Sequence, residues 1–168
     1  MAGPSTIART DEDPLPGTRV LIVEARYYGK IADMLLEGAR RVLEAQQVEW
    51  DIVSVTGSLE VPQAVAIALE APVHTRRLPF EAIVALGCVI RGETSHYDIV
   101  AGESARALMD LATAHRVPIG NGILTTDTEQ QAIVRAALDR GDKGGVAAAA
   151  ALQLLRVKRR LQNPRSPA

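Results

Sequence analysis

Two apolar runs without polar alternation, RVLIV at 19–23 and EAIVALGCV at 81–89, constrain the fold more than any other feature of the chain. A strand with one face in water alternates apolar and polar residues, so a run lacking that alternation reads as a strand covered on both faces. After the first run, Ile31, Met34, Leu35, Ala39 and Val42 recur at helical spacing to about residue 45. The pattern then repeats: strand at 49–55, helix at 59–69, strand at 81–89, helix at 94–115, strand at 117–124. Ile99, Val100, Ala105, Leu108, Met109 and Ala112 are expected on the inner face of the 94–115 helix. A short helix at 129–138, broken by Gly141, precedes an alanine-rich helix from 143 to about 161.

Strands that alternate with helices form βαβ units, whose right-handed crossovers imply a parallel sheet with helices on both faces. The expected fold is therefore α/β, a three-layer flavodoxin-like sandwich with a four-stranded parallel sheet. Its single domain should span 18–162, between flexible tails at 1–17 and 163–168. Ligands of such sheets sit beyond the carboxyl ends of the strands. The loops to inspect are 25–30, 56–60, 90–96 and 125–128.

Bulk properties remove several function classes. With 19 basic and 20 acidic side chains, formal net charge is -1, and no broad positive field draws the protein to nucleic acid or an anionic membrane. No apolar run is long enough to span a bilayer. Residues 1–17 carry acids and prolines but no apolar stretch of the signal-peptide kind. The single cysteine, Cys88, excludes an internal disulfide and a cysteine-based zinc cluster, and His74, His96 and His115 show no paired ligand spacing. A reducing, cytoplasmic compartment is expected. Aromatic rings are limited to Tyr27, Tyr28, Trp50, Phe80 and Tyr97, so few residues can stack a heteroaromatic ligand.

The strongest local signal is Val89-Ile90-Arg91-Gly92-Glu93-Thr94-Ser95-His96, a strand end followed by glycine and two hydroxyl residues able to cap a helix. Free amides at a helix start make an anion cradle suited to a phosphate monoester, and an ordinary capped helix start would look the same. Glu93 must then turn its side chain away from the anion. His96, in the first helical turn, is suited to proton transfer without a metal, or is a solvated surface histidine. Tyr27 and Tyr28 stand at a strand's carboxyl end, where they could stack a flat ring or merely cover the helix below. Glu60, behind Gly57-Ser58-Leu59, could accept from several hydroxyls or serve as a first-turn helix acid. Arg135 and Lys143 flank the Gly141 break and could grip phosphate or simply be solvated.

Together, GSLEVP at 57–62, GCVIRGETSHYD at 87–98, PIGNGILTT at 118–126, EQQAIVRA at 129–136 and DKGG at 142–145 resemble, in order and spacing, the motifs of lumazine synthases. That resemblance implies condensation of 5-amino-6-(D-ribitylamino)uracil with 3,4-dihydroxy-2-butanone 4-phosphate in riboflavin biosynthesis, with neither metal nor cofactor. It implies that Tyr27 stacks on the pyrimidine, Ser58, Leu59 and Glu60 hold the ribityl chain, and Cys88, Val89 and Ile90 meet the pyrimidine edge. Gly92, Glu93 and Thr94 would offer amides to the phosphate and His96 would move protons. Asn121 and Arg135 would reach in from a neighbouring subunit, with Lys143 nearby. The implied partners are small-molecule substrates and other copies of the chain, in a homopentamer or an icosahedral shell of twelve pentamers.

Three residues depart from the familiar pattern: Asn121 where an aromatic is common, Tyr28 where asparagine is frequent, and Cys88 in place of threonine. Cys88 reads as a small buried residue and not as a nucleophile. A non-catalytic paralogue that binds lumazine or flavin is the alternative from another class. An archaeal-type riboflavin synthase shares the fold but not the GETSHYD segment. A receiver domain would need acids at the strand ends, where this sequence has Ala25, Gly57 and Val89.

Overall fold

The computed structural model describes residues 13–75 and 79–163. Four strands form one parallel sheet: β1 (Arg19–Ala25), β2 (Glu49–Val55), β3 (Ala82–Ile90) and β4 (Ile119–Thr126), in the order β2-β1-β3-β4. Between and after them run α1 (Gly29–Ala45), α2 (Glu60–Thr75), α3 (His96–His115), α4 (Glu129–Ala136) and α5 (Lys143–Gln162). The three-layer α/β reading is the one observed.

The two central strands explain the two apolar runs. Val20 and Ile22 of β1 pack with Leu35 and Leu43 of α1 and Leu152 and Leu155 of α5. Leu21 and Val23, pointing the other way, pack with Val61 and Val65 of α2 and Leu108 of α3. β1 is buried from Val20 onward, and β3 is buried from Ala82 to Val89, because each has a strand on both sides and helices on both faces. Alternation disappears where both faces are core.

Full coverage does not extend to β2. Its seven residues are exposed or half-buried, and Ile52 and Val53 remain 42% and 39% exposed. As an edge strand it keeps one unpaired row of backbone groups, and the helices above and below lie mainly over β3 and β4. The inner face expected for α3 is also narrower than its apolar spacing implies. Val100, Ser104 and Leu108 are buried at four-residue steps, whereas Ile99 and Met109 are 53% and 64% exposed and Ala105 faces solvent. A helix resting on a sheet beside one other helix buries only the ridge between them.

Boundaries moved by a few residues. α2 continues to Thr75, beyond the expected 69, α4 stops at Ala136, and β4 begins two residues later than expected, at Ile119. The tail expected over 1–17 lies through residue 12 outside the described residues, as do residues 164–168 of the other. Within the described part, the Leu15 amide donates to the Gln46 carbonyl at 2.8 Å, and the Leu15 side chain packs on the α1/α5 side of the core.

The turn into α5 depends on close approach. A Cβ at Gly144 would overlap the carbonyl oxygen of Leu35 in α1, so only glycine lets the two helices meet there. Asp142 precedes it in the left-handed region at φ 38°, and its carboxylate accepts the Gly145 amide at 3.2 Å, capping the helix.

Candidate active site

In the order β2-β1-β3-β4 the chain steps outward from β1 to β2, then back across β1 to β3. The β1 and β2 loops and the start of α3 therefore surround one hollow above the carboxyl ends of β1 and β3. Its volume is about 470 Å³, and it is lined by Tyr27 and Tyr28 after β1, the 56–60 segment after β2, Cys88, Val89 and Ile90 of β3, and Gly92, Thr94, His96, Tyr97 and Val100 beyond it. That is room for a bicyclic ring with a polyol tail. The fourth expected loop, 125–128, contributes none of the lining.

Each wall has a local cause. In the second loop the Gly57 amide donates to Glu60 Oε2 at 2.8 Å, so this carboxylate is held back against its own turn, as a first-turn acid would be. Ser58 is 5% exposed at the floor. The third wall differs in detail from the sequence expectation. Neither hydroxyl caps α3 in the ordinary way: Ser95 takes the N-cap position in helical conformation with no side-chain bond. The Thr94 hydroxyl instead accepts the His96 amide at 3.4 Å. The amides of this turn thus stay largely available at the positive end of α3, and no atom lies within 4 Å of where a Gly92 Cβ would be.

Arg91, beside this cradle, is committed elsewhere. Its guanidinium reaches Asp98 at 3.2 Å and Asp127 at 3.2 Å, and it lies 4.0 Å from the Tyr97 ring centre. Tyr97 was not singled out in the sequence, although its place next to His96 in the first turn of a helix aimed at the site was the available signal. Val100, one turn further on, follows from the same geometry.

Four candidate residues are not in the lining. Asn121 is exposed partway along β4, where its Oδ1 accepts the Ile123 amide at 3.0 Å. Arg135 donates to the Gln131 carbonyl at 3.0 Å, and Lys143 begins α5. Glu93 is exposed, with its side chain outside the hollow. The lining of this one chain therefore includes a carboxylate, Glu60, and neither lysine nor arginine.

Burial governs the acid–base character of the floor. Desolvation pushes the Cys88 thiol up to about 11, with a smaller contribution from the Glu129 carboxylate. Tyr28 is raised in the same direction, first by burial and then by the charges of Tyr27, Cys88 and Glu129. Both hold their protons at neutral pH. Among the described residues no group of three His, Cys, Asp or Glu could hold a metal ion, and no helix is long and apolar enough to cross a membrane.

A larger groove of about 560 Å³ runs between α2 and α3, lined by residues such as Pro62, Ala66, Ala107 and Leu111. It is an open trough along two helices, with Glu103, Arg106 and Asp110 bound to one another at its rim. The smaller hollow gathers the histidine, the tyrosines and the free helix start.

A hollow over the point where strand order reverses is where open parallel sheets bind small molecules, so fold and site together define a flavodoxin-like α/β protein built around such a ligand. Its sequence specifies which kind. Residues 17–159 match the 6,7-dimethyl-8-ribityllumazine synthase family, and the chain belongs to it. A protein of that name from Azorhizobium caulinodans is 60% identical over 148 residues, covering 88% of this chain and 91% of the relative. One from Xanthobacter autotrophicus is 62% identical, covering 88% and 89%, and one from Rhodopseudomonas palustris is 52% identical, covering 96% and 98%.

Proposed function

We propose that the chain catalyses the reaction its family is named for, joining 5-amino-6-(D-ribitylamino)uracil to 3,4-dihydroxy-2-butanone 4-phosphate to give 6,7-dimethyl-8-ribityllumazine, phosphate and water. The observation that carries this reading is the hollow itself, which places an aromatic wall, a polar floor and a free helix start around one ligand-sized space. Tyr27 stacks the pyrimidine; Cys88, Val89 and Ile90 meet its edge, and Ser58, Leu59 and Glu60 hold the ribityl hydroxyls. The Gly92–Thr94 turn cradles the phosphate, and Glu93 contributes its backbone alone. His96, at the junction of the two halves, takes and returns protons as the imine forms and phosphate leaves. The uracil amine is already a nucleophile, so alignment supplies much of the acceleration. The non-catalytic alternative finds no support in relatives that are themselves named as synthases. Mixing purified protein with both substrates should produce the fluorescent lumazine; ligand binding without turnover would return the carrier reading.

The site is completed, in our proposal, by a neighbouring copy in a pentameric ring. A phosphate ester brings nearly two negative charges into a hollow whose lining has no lysine or arginine, and Arg135 donates only to the Gln131 carbonyl among the described residues. The exposed β2 edge, with Ile52 and Val53 uncovered, supports a ring interface beside the site. Arg135, with Lys143 nearby, then clamps the neighbour's phosphate, and Asn121 borders the neighbour's ring pocket. Both the single pentamer and a shell of twelve satisfy this requirement, and the cytoplasm, suited to a lone protonated thiol, is its compartment. If His96→Ala and Arg135→Ala subunits are unfolded and co-assembled in equal amounts, about a quarter of the sites regain both residues. Rings with mixing verified by mass spectrometry that stay as slow as either parent would refute the shared site.

A further inference from the structure

Among the described residues one carboxylate is buried, and the proposed reaction does not use it. Glu24 is 2% exposed near the carboxyl end of β1, on the face whose other members, Val20 and Ile22, pack against α1 and α5. A carboxylate so deep must be neutralised and hydrogen-bonded to remain ionised. The Ser54 hydroxyl, on the adjacent strand, donates to Oε1 at 2.7 Å, and Arg26 Nη1 donates to Oε1 and Oε2 at 3.1 and 3.0 Å. The other guanidinium nitrogen, Nη2, reaches Asp33 of α1 at 2.5 Å. The Arg26 backbone amide donates to the Val55 carbonyl at the end of β2, at 3.0 Å. A single residue thus ties β1, β2 and α1 together, immediately before Tyr27.

Tyr27 has little else to fix it. The residue is 71% exposed, and among the described residues its one aromatic contact is Tyr28, edge to face with centres 5.0 Å apart and planes 71° apart. Where its ring stands is decided by the backbone on which Arg26 sits. We propose that Arg26, seated on the buried carboxylate of Glu24 and braced by Asp33, is a positioning residue that holds the Tyr27 ring in place to receive the pyrimidine. The inference rests on the reading of Tyr27 as the stacking wall. A wall held in advance loses less freedom on binding than one that must be ordered by the ligand. Lysine cannot replace the fork, because a point charge reaches Glu24 or Asp33 but does not bridge them.

The test is titration of the assembled protein with 6,7-dimethyl-8-ribityllumazine, followed by the ligand's own fluorescence. An aromatic contact of this kind is worth about three- to tenfold in affinity, so Arg26→Met should weaken binding by roughly that factor and Arg26→Lys by less. The KM for the pyrimidine should rise in step, while that for the phosphate-bearing ketone should not. Because Arg26→Met alone strands the Glu24 charge, the double variant Glu24→Met, Arg26→Met removes both and should bind as weakly as the single variant. The discriminating measurement is Arg26→Met in a Tyr27→Ala background, where no further weakening is expected. Full additivity there would mean that Arg26 acts through the fold at large, and the inference would be overturned. Unaltered binding by Arg26→Met beside weakened binding by Tyr27→Ala would overturn it too. Unaltered binding by Tyr27→Ala would instead overturn the stacking assignment on which it stands.

Discussion

Cys88 offers the sharpest test of how burial controls this site, because it is the only thiol in the chain and labelling has no background. It forms part of the floor and is 8% exposed, and desolvation with help from Glu129 pushes its pKa up to about 11, against 9.0 for a free side chain. Two powers of ten in that equilibrium leave about one thiol in 10⁴ ionised at pH 7, roughly a hundredfold less than in an unfolded peptide. Alkylation by iodoacetamide, measured by intact mass, should therefore be at least that much slower than for the denatured chain. Its rate should still climb about tenfold per pH unit at pH 9.5, where a free thiol has levelled off. Above pH 9 the unfolded chain gives up this proton while the folded chain retains it, so stability falls as pH rises toward 11, by a ceiling of ~2.7 kcal/mol at about 1.4 kcal/mol per power of ten. Cys88→Ser should abolish labelling and remove this thiol's share of the pH dependence of stability, while keeping activity within a few-fold. A labelling rate that saturates below pH 9 would refute the buried-thiol account, and a folded Cys88→Ser protein without turnover would refute the exclusion of Cys88 as a nucleophile.

Three further outcomes are expected. Gly144→Ala drives a methyl group into the Leu35 carbonyl and should cost about 3 kcal/mol or more in urea unfolding, since backbone on both sides resists relaxation. Asp142→Ala loses the cap on Gly145 and a residue tolerant of positive φ, about 2 kcal/mol together, whereas Asp142→Asn retains both and should be near neutral at pH 7. Burial raises the Asp142 pKa more than the Gly145 amide and Arg41 lower it, so the folded state binds this proton more tightly than the unfolded. Stability contributed here falls as pH rises out of the ordinary carboxylate range, and that slope, read from thermal midpoints between pH 3 and 6, should vanish in Asp142→Asn. His96→Ala should lower kcat by about a hundredfold or less, because proton transfer is the part of the reaction it serves, and leave lumazine binding nearly intact; an unchanged kcat removes His96 from the mechanism.

What could be read from the sequence was what a single element decides. The unbroken apolar runs of β1 and β3 announced strands with core on both faces, and the glycine with hydroxyl neighbours at 92–95 announced a helix start beside a strand end. What could not be read depended on neighbours remote in sequence. Ile99 and Met109 have the spacing of an inner face, yet only the placement of α2 decides which ridge of α3 is buried. The Glu24–Arg26–Asp33 cluster spans a strand, a loop and a helix, and no local pattern marks a strand glutamate as buried; its nearest signal was an acid interrupting an otherwise apolar run. Thr94 and Ser95 are good capping residues by type, but capping depends on backbone angles, and Ser95 adopts helical ones.

The same division bears on the site's missing charge. A four-stranded sheet has two edges, and here the site lies over the middle of the order β2-β1-β3-β4 while Asn121 sits on one edge strand and the bare face of β2 forms the other. An edge that keeps Ile52 and Val53 in water is costly to a monomer and inexpensive to a ring, because burying apolar surface stabilises by roughly 25 cal/mol per Å². A closed ring also brings an unlike face of each copy against the next, since a head-to-tail contact is heterologous. Such a contact can deliver to every hollow the cations that its own chain withholds, once per subunit. In this arrangement the lack of lysine and arginine in the lining becomes a dependence on assembly: a folded subunit kept from its neighbour should bind the uncharged pyrimidine far better than the phosphate ester. Measuring both affinities on a monomer produced by charge substitutions at Ile52 and Val53 would decide it, and equal retention of phosphate binding would show that the cradle at α3 is sufficient by itself.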